Sequence, residues 1–155
     1  MIPEIDPERG QGPASSRRTE LLGGRLVIAD DSAEMRWLIR AVLADQFLEV
    51  AEAADGRELI WQLMRSRRGR GPNGAPALVV VADVFMPTYD GLQVLAAWQD
   101  GVPTVPLVVI TSFPDPDTRA RAQALGAEFL PKPFSRAQLR RATEQAIAQT
   151  QSVMP

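Results

Sequence analysis

The sequence predicts an α/β protein built on a doubly wound sheet of five parallel strands. Three observations support this prediction: short apolar segments alternate with amphipathic stretches, several apolar segments end on a polar or charged residue, and the central segment 77–82 is continuously apolar. A run of this kind is typical of a strand that is buried on both faces. Alternating strands and helices indicate a parallel sheet covered on both sides, and right-handed crossovers favour the strand order 2-1-3-4-5.

Composition narrows the chemistry that the chain can perform. The 155 residues, 45% of them hydrophobic, suit one domain with a full core. Cysteine and histidine are absent, which excludes thiolate nucleophiles, Ser-His catalysis and His-ligated metals. Carboxylates, hydroxyls, arginines and the single lysine, Lys132, remain. The net charge of −2 does not favour nucleic acid or an anionic membrane as a partner.

The first half of the chain contains two predicted strands and two predicted helices. Residues 1–23 are rich in Gly, Pro, Ser, Arg and Glu and are interpreted as a flexible extension. A strand follows over 25–29, and Asp31 with Glu34 suggests a capping pair for the next helix. Its apolar stripe has helical spacing and consists of Met35, Leu38, Ile39, Val42 and Leu43. A weaker strand over 47–53 precedes a helix that begins at Asp55 with Glu58.

The second half continues the alternation after a basic, Gly-rich loop over 65–74, which we interpret as solvated rather than as a partner or nucleic-acid contact. The central strand ends at Asp83, and Pro87 follows, so the chain must leave the strand there. The remaining predicted elements are a helix over 91–99, a strand over 106–110, a helix from Asp115-Pro116 to Leu125, a strand over 128–130 and a helix from Ser135 to about Gln149.

Polar residues follow the strands at one edge of the predicted sheet. The crevice between strands 1 and 3 should receive Asp30, Asp31 and Asp83, because the strand order reverses there. Taken alone, Asp83 is equally well explained as a helix cap or a turn residue, and an Asp-Asp pair before a helix is usually a cap. Three converging carboxylates, however, repel one another unless a cation is bound, and oxygen ligands suit Mg²⁺. Asp83 is then placed to attack phosphorus without a general base.

These motifs resemble the receiver domains of the two-component response-regulator family, which have a flavodoxin-like (βα)5 fold. The resemblance covers residues 24–150, leaving a tail at 151–155. It consists of the acidic pair, the phosphoacceptor loop, the Thr-Ser pair and the Lys-Pro-Phe motif, and the residues that carry it are Asp30, Asp31, Asp83, Met86, Pro87, Asp90, Gly91, Thr111, Ser112, Lys132, Pro133 and Phe134.

The resemblance implies a role for each site residue. Asp83 would accept a phosphoryl group from a phosphohistidine of a histidine kinase or a phosphotransfer protein. Mg²⁺ would be held by Asp31, Asp83 and the Phe85 carbonyl directly, with Asp30 acting through water. The phosphorylated Asp83 would contact Lys132 and Thr111, and Thr111 with Phe129 would form the switch. The family usually has a cis peptide bond before a proline at the position of Pro133.

The lifetime of the phosphoryl group should depend on two positions that flank the path of the attacking water. They lie two residues beyond the phosphoacceptor and two beyond Thr111, and here they are Phe85 and Phe113. Neither ring can accept a proton or hold a water. We therefore expect self-dephosphorylation to be about 10-fold slower than with polar residues at both positions, or roughly 1.4 kcal/mol in barrier.

The expected biological role is that of a stand-alone cytoplasmic receiver, because few residues follow Lys132 and no apolar run approaches the roughly 18 residues that span a bilayer. Its output partner should bind the face formed by helix 4, strand 5 and helix 5, and a homodimer is left open. One rival is a fragment of a longer regulator. Another is an aspartyl-phosphate phosphatase, which generally needs a second acid where Phe85 stands. A degenerate receiver is disfavoured because no pocket residue is missing.

Overall fold

The structure, a computed structural model, describes residues 21–100 and 105–152. In this part of the chain five strands alternate with five α-helices. The strands are β1 (Gly23–Ala29), β2 (Phe47–Ala53), β3 (Leu78–Asp83), β4 (Leu107–Thr111) and β5 (Glu128–Pro131). The helices are α1 (Ala33–Leu43), α2 (Gly56–Met64), α3 (Gly91–Gln99), α4 (Pro116–Ala124) and α5 (Arg136–Gln151). Two short 3₁₀ turns, Ala44–Gln46 and Pro72–Gly74, were not predicted.

The strands form one parallel sheet in the order β2-β1-β3-β4-β5, which confirms the predicted fold class and order. All six residues of β3 are buried, as expected for a central strand covered on both faces. Ala29 of β1 pairs with Ala82 of β3. The residues that follow this pair, Asp30 and Asp83, are therefore neighbours at the carboxyl edge of the sheet.

Two apolar layers cover the sheet, because alternate residues of each strand point to opposite faces. On one face, residues such as Val80 pack with the buried faces of α2, α3 and α4. On the other face, residues such as Val81 pack with α1 and α5. The two layers fix the strand ends relative to one another. Within the described residues, no helix has the length and apolar character needed to cross a membrane.

The capping prediction for α1 is wrong. The N-cap is Ser32, whose hydroxyl accepts a hydrogen bond from the Met35 N–H at 3.2 Å. Asp31 lies one residue before the N-cap and is exposed at the carboxyl edge of the sheet. Glu34 is simply an acidic residue of the first turn. A serine placed after two aspartates satisfies the helix terminus and leaves both carboxylates available for other contacts.

The other predicted helix starts are confirmed. Asp55 caps α2 by accepting from the Glu58 N–H at 2.8 Å. Asp115 caps α4, and its pKa is lowered chiefly by the hydrogen bond from the Thr118 backbone. Ser135 and Gln138 form a reciprocal capping box at the start of α5.

Some element boundaries differ from the prediction. Strand β1 begins at Gly23, which pairs with Phe47, whereas the sequence pattern had placed Gly23 in the extension. Helix α5 continues to Gln151, beyond the predicted end near Gln149. The remainder of the predicted extension (1–20) and of the tail (153–155) lies outside the described residues, so both stay predictions.

Candidate functional site

The floor of the candidate site is formed by two buried carboxylates at adjacent strand ends. Asp30 is fully buried, and one of its carboxylate oxygens accepts from the Ser32 N–H at 2.8 Å. Asp83 is almost fully buried and accepts from the Phe85 N–H at 3.3 Å. Both backbone donors come from the turn that follows the strand, so the local chain path orients each carboxylate.

Asp31 completes a cluster of three acidic groups with Asp30 and Asp83. One carboxylate oxygen from each residue lies within 4.8 Å of the other two. In an Mg²⁺ octahedron, opposite ligands are separated by about 4.2 Å. The all-oxygen donor set and its spacing therefore fit a hard divalent cation with small side-chain adjustment. The site opens into a cavity of about 310 Å³, which leaves room for water and for a phosphoryl group beside the ion.

Lys132 closes the far side of the cluster. Its backbone N–H donates to the Thr111 carbonyl at 2.8 Å, which ties the end of β5 to the end of β4. From there its ammonium group donates to Asp30 Oδ2 at 2.7 Å and to Asp83 Oδ2 at 3.1 Å. The Lys132-Pro133 peptide bond is cis, as the resemblance implied. One ammonium group thus faces three carboxylates, which leaves two net negative charges.

The pKa values at the site reflect this charge balance. Burial raises the pKa of the Asp83 carboxyl, and the neighbouring Asp30 adds to the effect, while Lys132 opposes both. Burial alone would lower the pKa of the Lys132 ammonium, but hydrogen bonds and charge from Asp30 and Asp83 outweigh it and raise that pKa. Lys132 is therefore held protonated, and a bound cation would further favour ionised Asp83.

The loop between β3 and α3 is held against the site by a close backbone contact. Gly91 donates its N–H to the Val84 carbonyl at 2.8 Å. A Cβ atom at Gly91 would lie only 2.2 Å from the Asp83 carbonyl oxygen. Asp90 caps α3 and also pairs with Arg121 of α4 at 3.2 Å. The absence of a side chain at Gly91 is thus what allows α3 to start beside Asp83.

Two phenylalanines stand at the mouth of the cavity. Phe85 and Phe113 both line it and are 46% and 65% exposed. Their ring centroids are 5.6 Å apart and the ring planes are inclined by 86°, an edge-to-face arrangement. The sequence placed these two residues separately beside the site, and the structure shows that they contact each other.

The switch residues lie next to the cavity. Thr111 is fully buried and is absent from the cavity lining; its hydroxyl accepts from the Phe113 N–H at 3.0 Å. Phe129 is half-buried, with the Arg119 guanidinium 4.6 Å from its ring centroid. Two lining residues, Ser32 and Ser112, were given no role from the sequence, although Ser112 belongs to the Thr-Ser pair of the resemblance. Each directly follows a predicted site residue, and that adjacency is the signal that would have found them.

Comparison with known proteins agrees with this geometry. A family model described as the response regulator receiver domain matches residues 26–144. The chain belongs to this family. Receivers of this family are phosphoacceptor signalling domains, and they bind Mg²⁺ through acidic residues. The chain is therefore a receiver domain of the kind found in two-component signalling systems.

This receiver is similar to parts of longer curated proteins. It is 30% identical over 112 residues to the DNA-binding transcriptional regulator NtrC of Salmonella typhimurium, covering 72% of this chain and 22% of that protein. It is 34% identical over 131 residues to the transcriptional regulatory protein PdtaR of Mycobacterium tuberculosis, covering 83% of this chain and 59% of that protein. The receiver thus spans between about a fifth and three fifths of these relatives.

Solved structures show the same fold. The beryllofluoride-activated NtrC4 receiver domain dimer matches with a TM-score of 0.67 at 26% identity, covering 81% of this chain and 98% of that one. The chemotaxis response regulator CheY4 of Vibrio cholerae matches with a TM-score of 0.64 at 26% identity, covering 79% of this chain and 98% of that one. Both neighbours are matched over almost their whole length, so the described fold corresponds to an entire receiver domain.

Proposed function

We propose that this receiver accepts a phosphoryl group on Asp83 from the phosphohistidine of a histidine kinase or of a phosphotransfer protein. The observation on which the proposal rests is the position of the Asp83 carboxylate, at the end of the central strand and at the base of an open cavity. On one side it is 3.1 Å from the Lys132 ammonium, and on the other it shares a cluster with Asp30 and Asp31.

The transfer would proceed by in-line displacement at phosphorus. A carboxylate oxygen of Asp83 forms the new O–P bond while the P–N bond to the donor imidazole breaks, and the imidazole leaves with the electron pair of that bond. The Lys132 ammonium stabilises negative charge on the phosphoryl oxygens. Asp31, Asp83 and the Phe85 carbonyl would hold Mg²⁺, with Asp30 acting through water. The bound ion supplies further charge neutralisation at the equatorial oxygens.

Labelling with acetyl phosphate or with a phosphorylated kinase tests the assignment. With Mg²⁺ we expect one acid-stable, base-labile phosphoryl group, and none after chelation or in Asp83→Asn. Asp45→Asn is the matched control, because it makes the same change at an exposed carboxylate of the turn after α1. Unchanged labelling of Asp83→Asn would refute the assignment. Turnover of a generic phosphoester would instead support the phosphatase rival.

We further propose that phosphorylation acts on Thr111 and Phe129. The Thr111 hydroxyl, which accepts from the Phe113 N–H, would turn to donate to a phosphoryl oxygen, and the space that it leaves would admit the Phe129 ring. Because Phe129 pairs with Val109 of β4 and its ring contacts Arg119 of α4, this movement would reshape the α4-β5-α5 face, where we place the output partner.

Amide resonances test this switch. Beryllofluoride mimics the phosphoryl group, and we expect it to shift resonances across residues 112–136, with little change along α2. Shifts confined to the immediate neighbourhood of Asp83 would contradict the switch while leaving the phosphoacceptor assignment intact.

A further inference from the structure

A second cavity, independent of the phosphorylation site, lies at the opposite edge of the sheet. Its volume is about 480 Å³. Strands β1 and β3 both start at this cavity, which is lined by Arg25 of β1 and by Ala77, the residue before β3. The phosphorylation site lies at the other ends of the same strands, at Asp30 and Asp83. Its lining includes four arginines, Arg25, Arg65, Arg67 and Arg70.

The basic loop that forms this cavity has a defined backbone. Ala77 donates to the Gly69 carbonyl at 2.8 Å, and Arg70 forms an antiparallel bridge with Pro76. The loop is also joined to β1, because the Gly24 N–H donates to the Pro76 carbonyl at 2.9 Å. The sequence pattern had suggested a solvated loop. The structure shows a folded-back segment from which three exposed arginines, Arg65, Arg67 and Arg70, line one concavity.

Two further contacts fix the walls. Arg68 anchors the loop to the end of α3: its guanidinium lies 3.8 Å from the Trp98 ring centroid and donates to the Trp98 carbonyl at 2.7 Å. Gly71 brings the loop close to the strand, since a Cβ atom there would lie 3.0 Å from the Ala77 Cα. These contacts fix the backbone of the loop, from which the exposed arginine side chains of the lining extend.

The charge in the cavity is unbalanced. Arg25 is mostly buried, donates to Glu49 and to Gln62, and has a buried Nε with no partner in the part of the chain that the structure describes. Glu49 is the one carboxylate of the lining. Four guanidinium groups against one carboxylate leave three net positive charges, although the whole protein carries a net charge of −2.

We propose that this cavity binds a small molecule that carries a diphosphate group. Arginine presents paired donors that match phosphate oxygens bidentately, and cavities of roughly 300–1,000 Å³ hold ligands of this size. A nucleic acid is less well matched, because the positive charge is gathered in one concavity rather than spread along a stripe.

Isothermal titration calorimetry tests the proposal on the full chain, with ADP, pyrophosphate and a short single-stranded RNA as probes. The key variant is R67A/R70A, which removes two exposed arginines of the lining. The matched control is R140A/R141A, which removes the same charge from the exposed face of α5. Phosphorylation of Asp83 should be normal in both variants, which establishes that they are folded.

We expect the wild-type protein to bind ADP and pyrophosphate. Loss of two charge-assisted contacts should weaken both by at least about 10-fold in R67A/R70A and by less than about 2-fold in the control. The proposal is overturned if wild type binds neither probe at about 1 mM, if both double variants lose affinity equally, or if the RNA is bound while ADP and pyrophosphate are not.

Discussion

Replacing Phe113 by alanine should shorten the lifetime of phosphorylated Asp83. Phe113 and Phe85 form an edge-to-face pair at the mouth of the cavity, with centroids 5.6 Å apart. We expect a water that attacks phosphorus in line to pass this pair, which would require the two rings to separate. Such pairs contribute about 0.5–1.5 kcal/mol beyond their buried area. Taking about 1 kcal/mol for two partly exposed rings, removal of one ring should speed hydrolysis about 5-fold.

The assay follows the decay of the phosphoryl label after removal of the donor, at saturating Mg²⁺. Phe85→Ala should give a similar acceleration, and F85A/F113A should add little, because either single change already breaks the pair. Phe85→Asn with Phe113→Glu should reach about 10-fold, since polar groups can also position water. Tyr89→Ala is the control, as this 51% exposed ring lies on the same loop as Phe85 but outside the pair. If Phe113→Ala and wild type decay at equal rates, the rings do not obstruct the water.

Three further expectations follow from the acidic cluster and its support. Mg²⁺ at about 100 times its dissociation constant should stabilise the fold by about 2.7 kcal/mol in thermal unfolding, and Asp31→Asn should reduce this stabilisation. Equal stabilisation of the wild type and of Asp31→Asn would show that Asp31 is not a ligand of the ion. Without metal, Asp83→Asn should unfold at a higher denaturant concentration near neutral pH, because the raised pKa of Asp83 means that its ionisation opposes folding. This gain in stability should shrink as pH falls through that raised pKa and Asp83 becomes protonated. A gain in stability that does not depend on pH would show that the pKa of Asp83 is not raised. Gly91→Ala should destabilise the protein by several kcal/mol and abolish phosphorylation, because its Cβ would meet the Asp83 carbonyl; Ala96→Gly, at an exposed position of the same helix, should cost only about 1 kcal/mol.

The sequence predicted the fold and the convergence of the acidic residues because both depend on a short-range pattern. Apolar runs that end on aspartate locate strand ends, and the order of a parallel sheet then determines which ends are neighbours. Asp30 and Asp83 follow paired residues of β1 and β3 as this reasoning requires. Helix N-caps could also be predicted from the sequence where only one suitable residue stood at the helix start, as at Asp115.

The features that the sequence did not provide depend on side-chain competition or on contacts between distant segments. Three adjacent residues could have capped α1, and only the structure shows that the choice falls on Ser32. The edge-to-face contact of Phe85 with Phe113 joins two loops across neighbouring strands. Likewise, the basic loop reads as solvated from its composition, because its bonds to β1 and to Trp98 carry no local signal.

In the part of the chain that the structure describes, the two edges of the sheet carry clusters of opposite charge. The cluster of Asp30, Asp31, Asp83 and Lys132 carries two net negative charges when all three carboxylates are ionised, and the lining of the arginine cavity carries three net positive charges. The two groups are separated by roughly 20 Å, the length of a seven-residue strand such as β1. A positively charged surface of a partner would be attracted by the acidic cluster and repelled by the arginine cavity, which favours contact at the phosphoacceptor edge. This preference should fade with added salt, because the screening length is about 8 Å at physiological ionic strength.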